Sequence, residues 1–387
     1  MVVNKMEKFY DGVNRKNTNC KKWDIFESHD INSFWIADSD YPTCIEAIEA
    51  LKKRVNHGAF GYTYVSDDYY QAIIDWVNKN YHYEIKKEWV VPSLGVVTAL
   101  YLIVNLFTSE NDSVMVSTPV YNPFYNVILN NNRKLVCNKL VEENDTYTID
   151  FSDFSKKAKD IKMYILCNPH NPVGRCFTKE ELEKIVTICK ENNVILVSDE
   201  IHADIIMNDS KFYSIGNFLE KYEDIIICTA PSKTFNIAGL QDANIIIKDS
   251  KMREKFTIKQ NDLSINTPNI LALEACKACY QKGYEWVLKQ NEYLTENRDY
   301  VYSFFKEKIP SAKVYKLEGT YLMWVNLSYL NIDQDDLINR LKKEGVIVNS
   351  GTIYDKDYIG YIRINIATSK KNLIEGLEKI KKVVYQK

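Results

Sequence analysis

The sequence predicts an α/β protein in which a sheet covered by helices on both faces is followed by a smaller α+β unit. Three observations carry that expectation. From about residue 90 short apolar runs alternate with helical patterns. Each run ends in polar residues, and in open α/β sheets ligands sit outside the carboxyl ends of strands. Beyond about residue 283 the alternation gives way to one long polar-apolar helix and a mixed tail.

The elements follow in order. After VVPSLG at 90–95 comes VVTALYLIVNLF, which is apolar enough for a buried helix whose N-terminus lies at Gly95. SVMVSTP at 113–119 and KMYILCNP at 162–169 are strands. A helix starts from Thr178, where TKEE has the form of a capping box. NVILVSDE at 193–200, DIIICTA at 224–230 and ANIIIKD at 243–249 continue the buried strands. The last part holds the helix WVLKQNEYLTENRDYVYSFFKEK, the strand YLMWVNL, a helix around DQDDLINRLKKEG, the strand YIRINIA and a closing basic helix. No repeat, low-complexity tract or long linker interrupts the chain, so the two units are expected to pack closely.

Composition narrows the function. At 387 residues the chain exceeds what one hydrophobic core usually serves, and 45% hydrophobic with 26% charged residues is ordinary globular arithmetic. A formal charge of -2 supplies no field for a polyanion, which argues against nucleic acid and for a small-molecule partner. The opening residues hold no apolar leader core, and no later stretch stays apolar for about 18 residues; a cytoplasmic protein, away from the membrane, is expected. Nine scattered cysteines do not suit a disulfide framework. The pair Cys276 and Cys279 lies in a helical pattern without the further ligands that a zinc site needs.

Four segments stand at strand ends: NPHNPVG at 168–174, SDEIHAD at 198–204, APSKTFNIAGLQ at 230–241 and YIRINIA at 361–367. Singly, each has a bland reading: Asp199 and Glu200 as a capping or surface pair, Lys233 as a solvated lysine, Arg363 as a salt-bridge partner. Their order and spacing together resemble the pyridoxal-phosphate-dependent aminotransferase class I/II superfamily of fold type I. The resemblance runs from FWIADSDYP at 34–42 through IRINIA. FWIADSDYP, NPHNPVGR, DEIHADI and SKTFNIAGLQ look like its cystathionine β-lyase or C-S lyase branch, which includes the maltose-regulon modulator.

The resemblance implies a three-layer large domain over residues 45–282 and a small domain assembled from 1–44 and 283–387. It also implies pyridoxal 5'-phosphate as cofactor. That group needs an amine for its Schiff base, a partner for its ring nitrogen, a donor to its phenolic oxygen, a stacking surface and a phosphate cradle. By resemblance Lys233 is the Schiff-base lysine, Asp199 pairs with the ring nitrogen, Asn171 donates to the phenolic oxygen and Tyr121 stacks on the ring. The phosphate is expected on the backbone N–H groups of Gly95, Val96 and Val97 at a helix N-terminus, with the Ser232 hydroxyl added. Arg363 matches the arginine that grips the substrate α-carboxylate. Tyr62, in FGYTY, matches a tyrosine that reaches the phosphate of a neighbouring subunit, which implies a homodimer with shared active sites.

The sequence departs from the wider pattern in places. Ala230 and Gln241 stand where a phosphate-binding serine and arginine are common, and His202 stands where a tyrosine often supports the phenolic oxygen. His202 reads equally as that support or as a packed core histidine, and His170 reads as a loop spacer. No second arginine occupies a recognisable motif for a distal carboxylate, leaving the loop residues Arg133 and Arg175 as candidates. The expected reaction is β-elimination of L-cysteine thioethers to thiol, pyruvate and ammonia. The alternatives are transamination, or a cofactor-bound regulatory protein acting through a transcription factor.

Overall fold

The computed structural model describes residues 11–386 apart from 27 and 29. Residues 1–10, read above for a leader and counted in the small domain, lie outside the described residues. Eight strands form the main sheet in the order Val90–Ser93, Ala243–Ile247, Ile225–Thr229, Ile195–Asp199, Met163–Cys167, Ser113–Thr118, Lys134–Glu143 and Thr146–Ile149. The five from Ile225–Thr229 to Lys134–Glu143 are parallel. Ala243–Ile247 is antiparallel to both its neighbours, and Thr146–Ile149 turns back along the far edge.

Successive strand residues face opposite sides, and both sides are dry. Tyr164, Leu166, Ile225 and Ile227 join one core with the helices Asp67–Tyr81, Lys179–Glu191 and Ile270–Lys282. Met163, Ile165, Ile226 and Cys228 join the other with Val96–Phe107 and Pro123–Leu129. A strand buried on both faces has no polar side to alternate with, hence the unbroken apolar runs. Thr178 caps its helix as its sequence implies: its hydroxyl accepts from the Glu181 N–H at 3.2 Å, and the Glu181 carboxylate accepts from the Thr178 N–H at 2.7 Å.

A second sheet is antiparallel, in the order Lys313–Val314, Leu322–Asn326, Tyr361–Asn365 and Asn349–Ser350. It shares a core with the helices Tyr284–Lys308, Gln334–Lys343 and Lys370–Tyr385. The short strand Asn32–Ser33 runs parallel to Val346–Ile347, which ties the N-terminal part of the chain to this unit. Loops from the two units meet at Gly174, whose carbonyl accepts from the N–H groups of Glu318 and Gly319 at 2.8 and 3.0 Å. A Cβ at Gly174 would lie 2.6 Å from Leu317 Cδ1, and φ is +76° there, so this close approach requires glycine. Among the described residues no helix is long and apolar enough to cross a membrane.

Candidate active site

The parallel strands present their carboxyl ends to a cavity of about 240 Å³. Asp199, the last residue of its strand, registers against Cys167 on one side and Cys228 on the other, which buries its carboxyl. It accepts one N–H, from Ile201 at 3.1 Å. Burial pushes it up to about 7, while that bond and the Lys233 charge pull the other way. Lys233 sits on the short turn Pro231–Thr234 and donates from Nζ to the Ala37 carbonyl at 2.7 Å. Burial lowers its amine from the ordinary lysine value and Arg363 acts in the same sense, while Asp38 and Asp199 raise it.

One wall of the cavity is the start of the helix Val96–Phe107, with Gly95, Val96 and Val97 lining it and Ser232 opposite. Gly95 is the N-cap at φ 112°, a conformation that L side chains rarely adopt, and the first N–H groups of a helix have no partner within it. Tyr121, Asn171 and His202 line the remaining walls. His202 is buried, its Nδ1 has no partner, and burial pushes the imidazole down to about 3, so it is neutral.

Arg363 lies on the central strand of the smaller sheet, opposite Trp324 and Asn349. It donates to Asn171 Oδ1 at 3.0 Å, to Asn349 Oδ1 at 2.7 Å and to the Trp35 carbonyl; its guanidinium carbon lies 5.2 Å from the Tyr354 ring centroid and its buried Nε has no partner. This arginine and Asn171 thus join the two sheets at the cavity. Tyr62 is elsewhere, fully exposed between exposed Phe60 and Tyr64 on a segment with neither helix nor strand.

Other motif residues serve the frame. Glu200 points away from the cavity to Ser198, Ser214 and the Ile215 N–H at 3.0, 2.6 and 2.9 Å. His170 is buried with its ring nitrogens 3.2 and 2.9 Å from the carbonyls of Cys167 and Pro119. Arg133 is spent on Thr108 and on the carbonyls of Asn105, Thr108 and Asn131. Arg175 is spent on Glu181, Glu318 and the Tyr147 carbonyl. Both loop arginines are therefore committed outside the cavity. Cys279 and Cys276 are buried, with Cys279 Sγ 3.8 Å from Cys44 Sγ.

Several residues around the site are absent from the sequence reading. Ala37 supplies a backbone acceptor, which no residue type advertises. Asp204 is half-buried and accepts from Thr234 Oγ1 at 2.8 Å and Trp76 Nε1 at 3.0 Å, fixing the turn that carries Lys233 to the loop that follows Asp199. Its place in SDEIHAD was a usable signal.

These groups suit pyridoxal phosphate on their own terms. A buried carboxyl accepts a single backbone N–H, a neutral imidazole has a ring nitrogen without a partner, a depressed amine shares the cavity, and the start of a helix closes one end. The chain belongs to the aminotransferase class I and II family, whose model matches residues 32–380. Among characterised relatives, cystathionine beta-lyase PatB of Bacillus subtilis is 37% identical over 95% of this chain and 97% of its own length. Protein MalY of Escherichia coli is 30% identical over 94% and 95%. The crystal structure of the PLP-bound C-S lyase from Staphylococcus hominis superposes with a TM-score of 0.94 at 33% identity, covering 100% of this chain and 99% of that one.

Proposed function

We propose that this protein is a pyridoxal-phosphate-dependent carbon-sulfur lyase of the cystathionine β-lyase type, cleaving L-cysteine thioethers to a thiol, pyruvate and ammonia. The observation that carries the reading is the Lys233 amine held in one small cavity with Asp199, Asn171 and His202. The likeness to PatB and to the C-S lyase supports the choice of reaction. So does the engagement of Arg133 and Arg175 elsewhere, which leaves the cavity without a second guanidinium from these two for an acidic side chain.

Bound pyridoxal phosphate supplies the link to the substrate amine and the electron sink for the charge left at Cα. The chain supplies the rest. Asp199 accepts the ring N–H and keeps the proton on that nitrogen; gaining this cation returns the carboxyl to its charged form. Asn171 and His202 serve the phenolic oxygen, and Tyr121 covers the ring face. Val96, Val97 and Ser232 hold the phosphate at the helix start, with Gly95 allowing the approach. Arg363 binds the α-carboxylate, for which its planar fork is better than a lysine. Lys233 Nζ, low in proton affinity through burial, takes the Cα proton. The sulfur then leaves from Cβ as a thiolate, a good leaving group with a thiol pKa of about 8.5, and takes up a proton to become the thiol. Water hydrolyses the aminoacrylate that departs to pyruvate and ammonia.

The same reading makes the protein a cytoplasmic homodimer. Exposed Phe60, Tyr62 and Tyr64 on one connecting segment suit a protein interface, where Tyr62 serves the partner's phosphate. Mixed dimers of Tyr62→Phe and Lys233→Ala chains should then regain activity over either parent; no gain in confirmed heterodimers counts against sharing. The reaction is tested by incubating the holoenzyme with L-cystathionine and no keto acid. Pyruvate, ammonia and homocysteine are expected in equal amounts, and borohydride should fix the cofactor on Lys233. Faster turnover of aspartate or alanine with 2-oxoglutarate would make it an aminotransferase.

A further inference from the structure

The carbonyls of residues 35–41 are taken up almost one after another by side chains of the active-site elements. Arg363 donates to Trp35 O. Asn365 Nδ2 donates to Ile36 O at 2.7 Å and Asp38 O at 2.8 Å, and Asn236 Nδ2 to Ser39 O at 3.0 Å and Tyr41 O at 2.7 Å. In the middle of this row Ala37 O takes the Lys233 amine. Two cations from earlier in the chain close the row from outside. Arg15 donates from Nη1 to Ser39 O at 2.8 Å and pairs through Nη2 with the Asp38 carboxylate at 2.7 Å. Lys22, fully buried, donates to Asp38 O at 3.0 Å and to the Asp40 carboxylate at 2.9 Å.

We infer that Arg15 is a positioning residue for Lys233: through its pair with Asp38 and its bond to Ser39 O, it holds the backbone that anchors the amine and sets the amine's proton affinity. The charged groups facing Lys233 are Asp38 from this segment, Asp199 from the strand end and Arg363 from the smaller sheet, beside neutral His202. Asp199 and Arg363 have tasks in the proposed reaction. Asp38 has none, yet its negative charge favours the protonated amine, which cannot act as a base. Arg15 offsets that charge while leaving the Ala37 carbonyl in place, so the anchored amine keeps its lone pair for a proton. The inference rests on Lys233 being the working amine.

The test uses the full-length chain freed of cofactor. Competitive acetylation of Lys233 across pH, read by peptide mass, gives the midpoint of the amine's titration. Arg15→Gln should raise that midpoint by about one pH unit, as an uncompensated carboxylate nearby does. Asp38→Asn should lower it, the double variant should follow Asp38→Asn, and Arg15→Lys should return it toward wild type. The acid limb of kcat/KM should move with the midpoint in the holoenzyme. Opposite shifts from the two single changes separate positioning from damage, since a general loosening moves both the same way. An unchanged midpoint in either variant with an intact circular dichroism spectrum, or shifts of the same sign, overturns the inference. Where Arg15→Gln fails to fold, the double variant decides: a midpoint equal to that of Asp38→Asn supports the inference, because Arg15 then acts only through its partner, and a different midpoint defeats it. Failure of the lyase reading would show instead as no borohydride-fixed cofactor on Lys233, a result that acetylation does not use.

Discussion

The Lys233 amine is enclosed by two regions built in opposite ways. On one side, the carboxyl ends of parallel strands deliver side chains: Asp199 closes one strand, and Asn171 and His202 follow within four residues of theirs. On the other, residues 35–41 deliver backbone, held in place by Arg15, Lys22, Asn236, Arg363 and Asn365. An interior strand is rigid because hydrogen bonds run along both neighbours, so a side chain at its end needs little else to be placed. A loop has no such ladder. Its shape comes from satisfying its carbonyls one by one, and the residues that do so are scattered from position 15 to position 365.

Removing chemistry from the first region should have the largest effect. Lys233→Ala deletes the amine and with it proton transfer at Cα, so turnover should fall by at least about four orders of magnitude, with cofactor still retained through the helix start and Asp199. Asp199→Asn keeps the shape and loses the charge; exchange of the substrate α-proton with solvent should slow by about two to three orders of magnitude. Wild-type exchange in that variant would mean that the strand end carries no electrostatic task.

Damage to the second region should appear first in stability. Lys22→Met leaves the buried Asp40 carboxylate with the Trp23 indole at 2.9 Å and Arg15 at 3.7 Å. Breaking one side of a buried ion pair costs about 3–5 kcal/mol. Denaturant titration should show a loss of that order, with activity falling only as far as residues 35–41 lose their place. A stability near wild type would show that the segment is held without Lys22.

The same contrast decides what the sequence made legible. The doubly buried strands and the helix starting at Gly95 could be read because burial on both faces leaves long apolar runs. The side chains at strand ends could be read because they cluster in short motifs. The hairpin of Lys134–Glu143 and Thr146–Ile149 could not: its residues are largely half-exposed and polar, and the apolar signal is correspondingly weak. Ala37 was hidden because every residue has a carbonyl. Arg15 and Lys22 were hidden because a surface cation and a buried one look alike until their partners, more than fifteen positions away, are folded beside them. Arg133 and Arg175 show the reverse case, looking free in the sequence and proving committed to partners outside the cavity.

The smallest expected effect lies outside both regions and serves as their control. Thr178→Ala removes the hydroxyl that accepts from the Glu181 N–H, one half of the capping box on the helix Lys179–Glu191. Losing such a cap costs about 1 kcal/mol. The other half stays, because the Glu181 carboxylate still accepts from the backbone N–H at position 178 and still pairs with Arg175 Nη2 at 2.6 Å. Through Arg175 that carboxylate steadies the loop carrying Asn171, whose contact with Arg363 reaches the cavity. The helix end should therefore weaken while the loop keeps its anchor, giving a lower unfolding midpoint with kcat/KM unchanged. A fall in kcat/KM as well would mean that the loop position depends on the cap itself, and the separation between frame and site would have to be redrawn around Glu181.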